Sequence, residues 1–244
     1  SYSNWYFTQY GGKEGEIDVT KALARSTDTF FYKIGEALGI DKLVEWMKRF
    51  GLTKLTNIDI GGEIQSLVPS PDWKEKVKGE RWFLGNTYHF SIGQGDLALT
   101  AVGIHRADLA VTNGGKLCDL KIVGDTKCVD LKVKPGNLQL VQDGMKKACS
   151  SGGTAFTFFD FSQKHNGLEV GCKTGTAENP HGKDHAEFQC FAPRENPKIA
   201  IACLVENAGF GHRWAAPIVS LMVEKYLTGK ITRPDLEKKM MEAD

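Results

Sequence analysis

Apolar residues along this chain follow two textures that change near Gly167. Upstream of it they recur at helical spacing. Across 18–39, Val19, Leu23, Phe30, Phe31, Ile34 and Leu38 mostly keep to one helix face. Ser26-Thr27-Asp28 breaks that run with residues that favour helix N-caps over helix interiors. The pattern predicts two helices meeting at a polar corner. Asp41 is placed to cap a third, which carries Leu43, Val44, Trp46, Met47 and Phe50 and stops at Gly51. The stretch 53–95 reads as irregular and rich in Gly and Pro, apart from a short helix at 71–78 behind Ser70. Helical periodicity returns over 97–112 and 138–148, the latter closed by the small residues of 150–153.

Downstream of Gly167, the segments 168–176, 187–192 and 198–206 are short, apolar or alternating, and separated by turn signals such as Asn179-Pro180-His181-Gly182 and Glu195-Asn196-Pro197. They predict three strands of an antiparallel meander. A final amphipathic helix over 214–227 brings Ile218, Leu221, Met222 and Tyr226 to one face, and a charged tail fills 228–244. Helices first, then strands under a covering helix, make an α+β arrangement, with a mainly helical part over 18–150 and a sheet with its helix over 167–227. Neither a repeat nor a linker divides the chain.

Composition narrows the function classes. Among 244 residues, 31 Lys+Arg face 30 Asp+Glu for a formal net charge of +1, which gives no global field to recruit nucleic acid. No apolar run reaches the ~18–20 residues of a membrane span. Ser1 opens into polar, aromatic sequence instead of a signal peptide, so the expectation is a cytoplasmic protein or residues downstream of a removed targeting segment. Of the six cysteines, none forms a C-x-x-C pair of zinc-site spacing, and most are expected as buried thiols. Cys118 and Cys128 flank a Gly124-Asp125 turn signal; if that segment is a hairpin they face each other, and both the thiol and the disulfide state are open to them. His181, Asp184 and His185 lack a third spaced ligand and read as a polar turn, so no metal or other cofactor is called for.

Candidate chemistry concentrates in Gly171-Cys172-Lys173-Thr174-Gly175-Thr176-Ala177-Glu178. Alternation puts Lys173 and Gly175 on one face, so a ligand can approach the backbone over Gly175, where no side chain stands. Lys173 supplies positive charge, the Thr174 and Thr176 hydroxyls suit a carboxylate, and a backbone N–H at Thr176 suits a developing oxyanion. Taken alone, the segment reads equally as a solvated edge strand. Cys172 falls on the opposite face from Lys173 and is expected as an inert core thiol. The loop 207–214, with Gly209, Gly211, His212 and Arg213, reads as a mobile border of a groove or as a plain strand-to-helix connection.

Ser26-Thr27-Asp28 and Lys173-Thr174-Gly175, in that order, resemble the second and third motifs of the penicillin-binding proteins and serine β-lactamases. The likeness extends to class B penicillin-binding proteins of the penicillin-binding protein 2 type, the elongation-type peptidoglycan D,D-transpeptidases. It is carried by the run from Ala24 through Tyr32 followed by Leu38-Gly39-Ile40-Asp41, by Leu84-Gly85-Asn86-Thr87 through Ser91-Ile92-Gly93-Gln94-Gly95-Asp96, and by Phe191-Ala192-Pro193, Asn196-Pro197-Lys198-Ile199-Ala200 and Val205-Glu206-Asn207. It implies an incomplete transpeptidase fold, the C-terminal portion of one such domain spread over 1–244.

The resemblance also implies roles. Ser26 links the protonation network of the nucleophile's lysine to the third motif. Asp28 contacts the substrate amide, standing where many relatives have Asn. Lys173, Thr174 and Thr176 hold the terminal carboxylate of a D-Ala-D-Ala stem peptide or of a β-lactam, with Gly175 between them and the Thr176 N–H as an oxyanion donor. The family's nucleophile is the serine of an S-x-x-K motif, and these 244 residues contain no S-x-x-K. The chain alone is therefore expected to be inactive, as part of a membrane-anchored, extracytoplasmic parent that works beside elongation-machinery proteins. The competing expectation is a silent carboxylate-binding or scaffold module, with a β-lactamase or D,D-carboxypeptidase less favoured. Strand 198–206, lacking its usual neighbour, is expected to show an unpaired edge that is capped by residues 1–16, covered by a second chain through dimerisation, or disordered.

Overall fold

The computed structural model describes residues 4–242, so the extreme ends of the 1–244 span lie outside the described residues. In chain order the elements are α1 (Trp5–Tyr10), α2 (Val19–Arg25), α3 (Asp28–Leu38), α4 (Ile40–Arg49), α5 (Pro71–Lys78), α6 (Leu84–Ser91), α7 (Ala101–Thr112), β1 (Lys116–Cys118), β2 (Cys128–Asp130), α8 (Pro135–Ala148), a 3-10 turn (Phe156–Phe158), α9 (Phe161–Lys164), β3 (Gly171–Ala177), β4 (His185–Ala192), β5 (Ile199–Val205), α10 (Ala215–Thr228) and α11 (Pro234–Met241). They form two compact units, one of residues 1–17 and 27–135, the other of 18–26 and 136–244.

In the first unit α3 packs on α6 through Gly35, where an added Cβ would stand 2.7 Å from Ser91 Cβ. The Tyr88 hydroxyl on α6 donates to Glu36 on α3. The predicted helix over 71–78 forms as α5, with the Ser70 hydroxyl accepting from Trp73 N–H. The irregular reading of 53–95 missed α6. That helix buries Thr87, Tyr88 and Phe90 despite weak periodicity, and the Asn86 side chain secures its start by accepting from Phe83 N–H. The predicted helix over 97–112 begins only at Ala101, because Thr100 caps it while Ala98 is tied to Leu67 by a β-bridge. The predicted Asp41 cap is displaced as well: Gly39 is the N-cap of α4 and Asp41 lies within its first turn. β1 and β2 make the hairpin, and Cys118 and Cys128 join as a disulfide.

The second unit is built on the antiparallel sheet β3-β4-β5. Register sets Cys172 opposite Cys190, Thr174 opposite Phe188 and Thr176 opposite Ala186. Cys172, Ala186, Phe188, Cys190 and Ala192 join Phe158, Phe161, Val219 and Val223 of the turn, α9 and α10 in one core. Each fully buried Val or Phe there contributes roughly 1.5–3 kcal/mol. Cys172 is not a free thiol as expected: it is disulfide-bonded to Cys149, the residue that follows α8. β5 has β4 as its strand neighbour, and among the described residues no strand lies along its other edge.

The covering helix forms, but with a different buried stripe. Of the predicted face Leu221 is buried as expected, but Met222 and Tyr226 are exposed, whereas Ala215, Ala216, Val219, Ser220, Val223 and Glu224 are buried. Small side chains let α10 sit close to the sheet, and that closeness outweighs the size of Met and Tyr in choosing the face. Nor is 228–244 only a charged tail, since it carries α11. Fully buried Glu224 holds the connection: its carboxylate accepts from the Thr232 N–H at 2.8 Å, from the Thr232 hydroxyl and from Arg233 Nε at 3.1 Å, and it lies 3.2 Å from His165 Nε2.

Burial pushes the Glu224 carboxyl up, but the Thr232, His165 and Arg233 donors outweigh it and hold its pKa at about 2. A pKa depressed in the folded state makes this carboxylate's stabilisation complete above its ordinary value of 4.5 and lost as pH falls from there toward 2. Replacing it by Glu224→Gln is expected to cost about 3 kcal/mol at pH 7, because the half-buried Arg233 loses its charged partner. Urea denaturation between pH 7 and pH 3 checks both statements, and an unshifted midpoint in the variant would contradict them.

Candidate functional site

Ser26 is the C-cap of α2, and it stands in the left-handed region at φ 51°, ψ 54°. This corrects the N-cap reading: Thr27, not Ser26, is the residue before α3. A non-glycine residue there costs roughly 1–2 kcal/mol. The Ser26 N–H is directed back to the carbonyls of Ala22 and Leu23, which closes α2 and turns the side chain out of the helix.

The side chain meets β3. Lys173 Nζ donates to Ser26 Oγ at 2.9 Å and to the Thr174 carbonyl at 2.8 Å. With the ammonium donating, Ser26 Oγ accepts. Thr174, on the opposite side of the strand, bonds Thr154 hydroxyl to hydroxyl at 2.8 Å. Thr176 follows two residues on, opposite Ala186. Ser26, Lys173, Thr174, Gly175 and Thr176 thus all belong to the second unit, although 147 positions separate the first two. Asp28 opens α3 in the first unit, where its N–H donates to Asn4 Oδ1 at 3.2 Å and its carboxylate accepts from Trp5 N–H at 3.4 Å.

The open approach expected above Gly175 is filled. A Cβ at that position would lie 2.9 Å from Cβ and 3.0 Å from Oε2 of Glu187, its cross-strand partner. Glycine here makes room for Glu187, whose carboxyl burial pushes up against the opposing pull of His185. The loop 207–214 is equally engaged. The Gly209 N–H donates to the Asp184 carbonyl at 2.8 Å, the Asn207 N–H donates to His185 Nδ1 at 3.0 Å, and Asn179 Nδ2 donates to Asn207 Oδ1 at 2.6 Å. An added Cβ on Gly211 would stand 2.1 Å from the Glu187 carbonyl and 2.3 Å from the Gly175 carbonyl. Asp184 and His185 are therefore part of the contact between the β3-β4 turn and this loop, while the His181 N–H donates within the turn to Asn179 Oδ1.

Residues the sequence reading passed over complete the site. Arg25 Nη1 donates to the Gly152 carbonyl at 3.0 Å, joining the end of α2 to the loop 149–154. The Cys149–Cys172 disulfide joins that loop to β3 one residue before Lys173. Only the run of small residues at 150–153 hinted at a tight turn, and no motif marked Thr154.

Comparison with known proteins matches residues 1–224 to a family model described as the penicillin binding protein transpeptidase domain. Peptidoglycan D,D-transpeptidase MrdA of Salmonella typhimurium is 30% identical over 96% of this chain, which spans 41% of that relative. The structure of PBP2 of Pseudomonas aeruginosa in complex with WCK 5153 superposes with a TM-score of 0.81 at 31% identity, covering 96% of this chain and 52% of that one. A complex between PBP2 and MreC from Helicobacter pylori gives a TM-score of 0.81 at 29% identity over 93% of this chain and 42% of that one.

The close approach at Gly211 generates a direct test. Gly211→Ala drives a methyl group into two strand carbonyls that cannot rotate away, and is expected to destabilise the chain by about 1–3 kcal/mol. A urea midpoint equal to that of the unmodified chain would show that the loop does not lie on the strands.

Proposed function

From a chain that belongs to the penicillin-binding protein transpeptidase family, we propose a part in peptidoglycan cross-linking: it supplies the second-motif and third-motif side of a serine D,D-transpeptidase site. The observation that carries the reading is the Lys173–Ser26 hydrogen bond, which joins the two motifs in one unit.

In this reading a stem peptide ending in D-Ala-D-Ala, or a β-lactam, presents its carboxylate to Lys173 and to the Thr174 and Thr176 hydroxyls. Charge-assisted hydrogen bonds of this kind are about twice as strong as neutral ones. The reacting carbonyl lies toward the Thr176 N–H, which stabilises the oxyanion as the serine adds. The terminal D-Ala leaves with a proton and an acceptor amine then takes the acyl group, with Ser26 passing protons between Lys173 and the nucleophile's lysine. Gly175 leaves its own face of β3 to Glu187. No cofactor takes part.

The acylated serine is supplied from outside these 244 residues, which hold no S-x-x-K. The 1–244 span is then the portion of one transpeptidase domain that follows its nucleophile. The parent is membrane-anchored with this domain on the outer side, beside proteins of the elongation machinery. No described helix is long and apolar enough to cross a membrane. The edge of β5 suits pairing with the parent's own missing strands, or with a second copy when those strands are absent. The missing motif also supports a second reading, a silent module that binds carboxylates without acyl transfer.

Labelled penicillin separates the two. The full-length parent is expected to form a covalent adduct, the 244-residue chain to form none, and Lys173→Ala in the parent to lose about 100-fold in labelling rate, the scale of one lost transition-state donor. Absence of any adduct on the full-length protein would leave only the silent module. Unreduced labelling of the Lys173→Ala variant would remove Lys173 from the site.

A further inference from the structure

The Thr154–Thr174 pair carries a proton more than its own hydrogen bond can use. Two hydroxyls joined at 2.8 Å share one hydrogen bond, which consumes one O–H and leaves the other in need of an acceptor. Thr154 is 8% exposed, whereas Thr174 is half-buried on β3. The arrangement that strands no buried donor has Thr154 donating to Thr174 Oγ1, with the Thr174 proton turned outward.

Thr154 is held in place for this. The N–H groups of Thr154 and Ala155 both donate to the Ala148 carbonyl at the end of α8, at 3.2 and 3.0 Å. Gly153 fits only because it has no side chain, since a Cβ there would lie 2.3 Å from the Ala148 carbonyl and 2.4 Å from that of Lys147. Gly152, at φ +89°, turns its carbonyl to Arg25. The Cys149–Cys172 disulfide fixes one end of the loop to the strand that carries Thr174. Backbone on both sides of Thr154 is thus determined, and its β-branched side chain has few rotamers to choose from.

We propose that Thr154 is a positioning residue for anion recognition: by donating to Thr174 it commits the Thr174 hydroxyl to act as a donor to the ligand's carboxylate. A hydroxyl that already accepts one hydrogen bond is also polarised into a better donor. The inference rests on the carboxylate-binding role proposed for Thr174, and it adds a residue to which no motif points.

The test uses the full-length parent and a labelled penicillin, offered as the free carboxylate and as its methyl ester. Thr154→Val keeps the shape and removes the hydroxyl. It is expected to lower the second-order labelling rate for the carboxylate about 10-fold, the worth of one hydrogen bond, while the ester, which presents no anion, changes little. Thr154→Ser, which restores the hydroxyl, is expected to recover most of the rate. In a Thr174→Val background the Thr154→Val change should add nothing further. Equal loss for carboxylate and ester would make Thr154 a packing residue and overturn the proposal. So would wild-type labelling of Thr154→Val, or a Thr154→Ser variant as slow as the valine. An unmodified parent that takes no label removes the transpeptidase reading itself and this inference with it, a result distinct from the other failures.

Discussion

The hydrogen bond from Lys173 to Ser26 sets the terms for the rest of the second unit, because it holds only if two independent pieces of geometry hold. Helix α2 must end with Ser26 in the left-handed region, and β3 must be in register. A slip of one residue would replace Lys173 by Cys172 or Thr174 on that face and send the ammonium into the core. The core forbids the slip. Cys172 and Phe188 are essentially inaccessible, and moving either outward while driving Lys173 in would bury an ammonium without a partner. Hydrophobic burial on one face of the sheet thus aims the charged group on the other.

Much of this was legible in the chain. Alternation over 168–206 located the three strands to within a few residues, since a half-covered antiparallel sheet writes its two faces into the sequence as a period of two. The corner at 26–28 was legible from residue type, although the wrong cap was read: a serine after a helix and a serine before one look alike until the backbone angles are known. Helix α6 escaped because its buried positions are Thr87, Tyr88 and Phe90, with a glycine and an asparagine in its first turn, a composition that lowers helix propensity everywhere except at the cap. The buried face of α10 was misread for a related reason. Large side chains mark the interior at Leu221 but not at Met222 or Tyr226, because a helix lying tightly on a sheet favours small ones and can even bury Glu224 when donors from a neighbouring segment surround it.

What no periodicity reveals is pairing across the fold. Cys149 and Cys172 are 23 residues apart, and their disulfide depends on the end of α8 reaching the start of β3. The same holds for Arg25 and Gly152, and for Thr154 and Thr174. Two of these contacts end on the strand that carries Lys173 and the third ties the end of α2 to the loop 149–154, yet none has a spacing that the sequence singles out. The motif residues were visible because they stand together on one strand or one turn, while the residues that hold them are scattered.

Glycine has a different use in this site from the one its place in the motif suggests. The motif suggests a gap at Gly175 through which a ligand reaches the backbone, but Glu187 takes that space, and Gly211 lies so close to the same strands that a side chain there would meet their carbonyls. One face of β3 is therefore committed to the core and much of the other to the protein's own loop. On the proposed reading, ligand recognition then falls to what the faces leave over: the Lys173 ammonium, the threonine hydroxyls and the backbone along the strand's remaining edge. Recognition along an edge suits an extended peptide, whose main chain offers hydrogen bonds in a row and whose terminal carboxylate marks where the row stops. On that reading, a strand with occupied faces and, among the described residues, no strand along one edge favours ligands of that shape before any side chain contributes specificity.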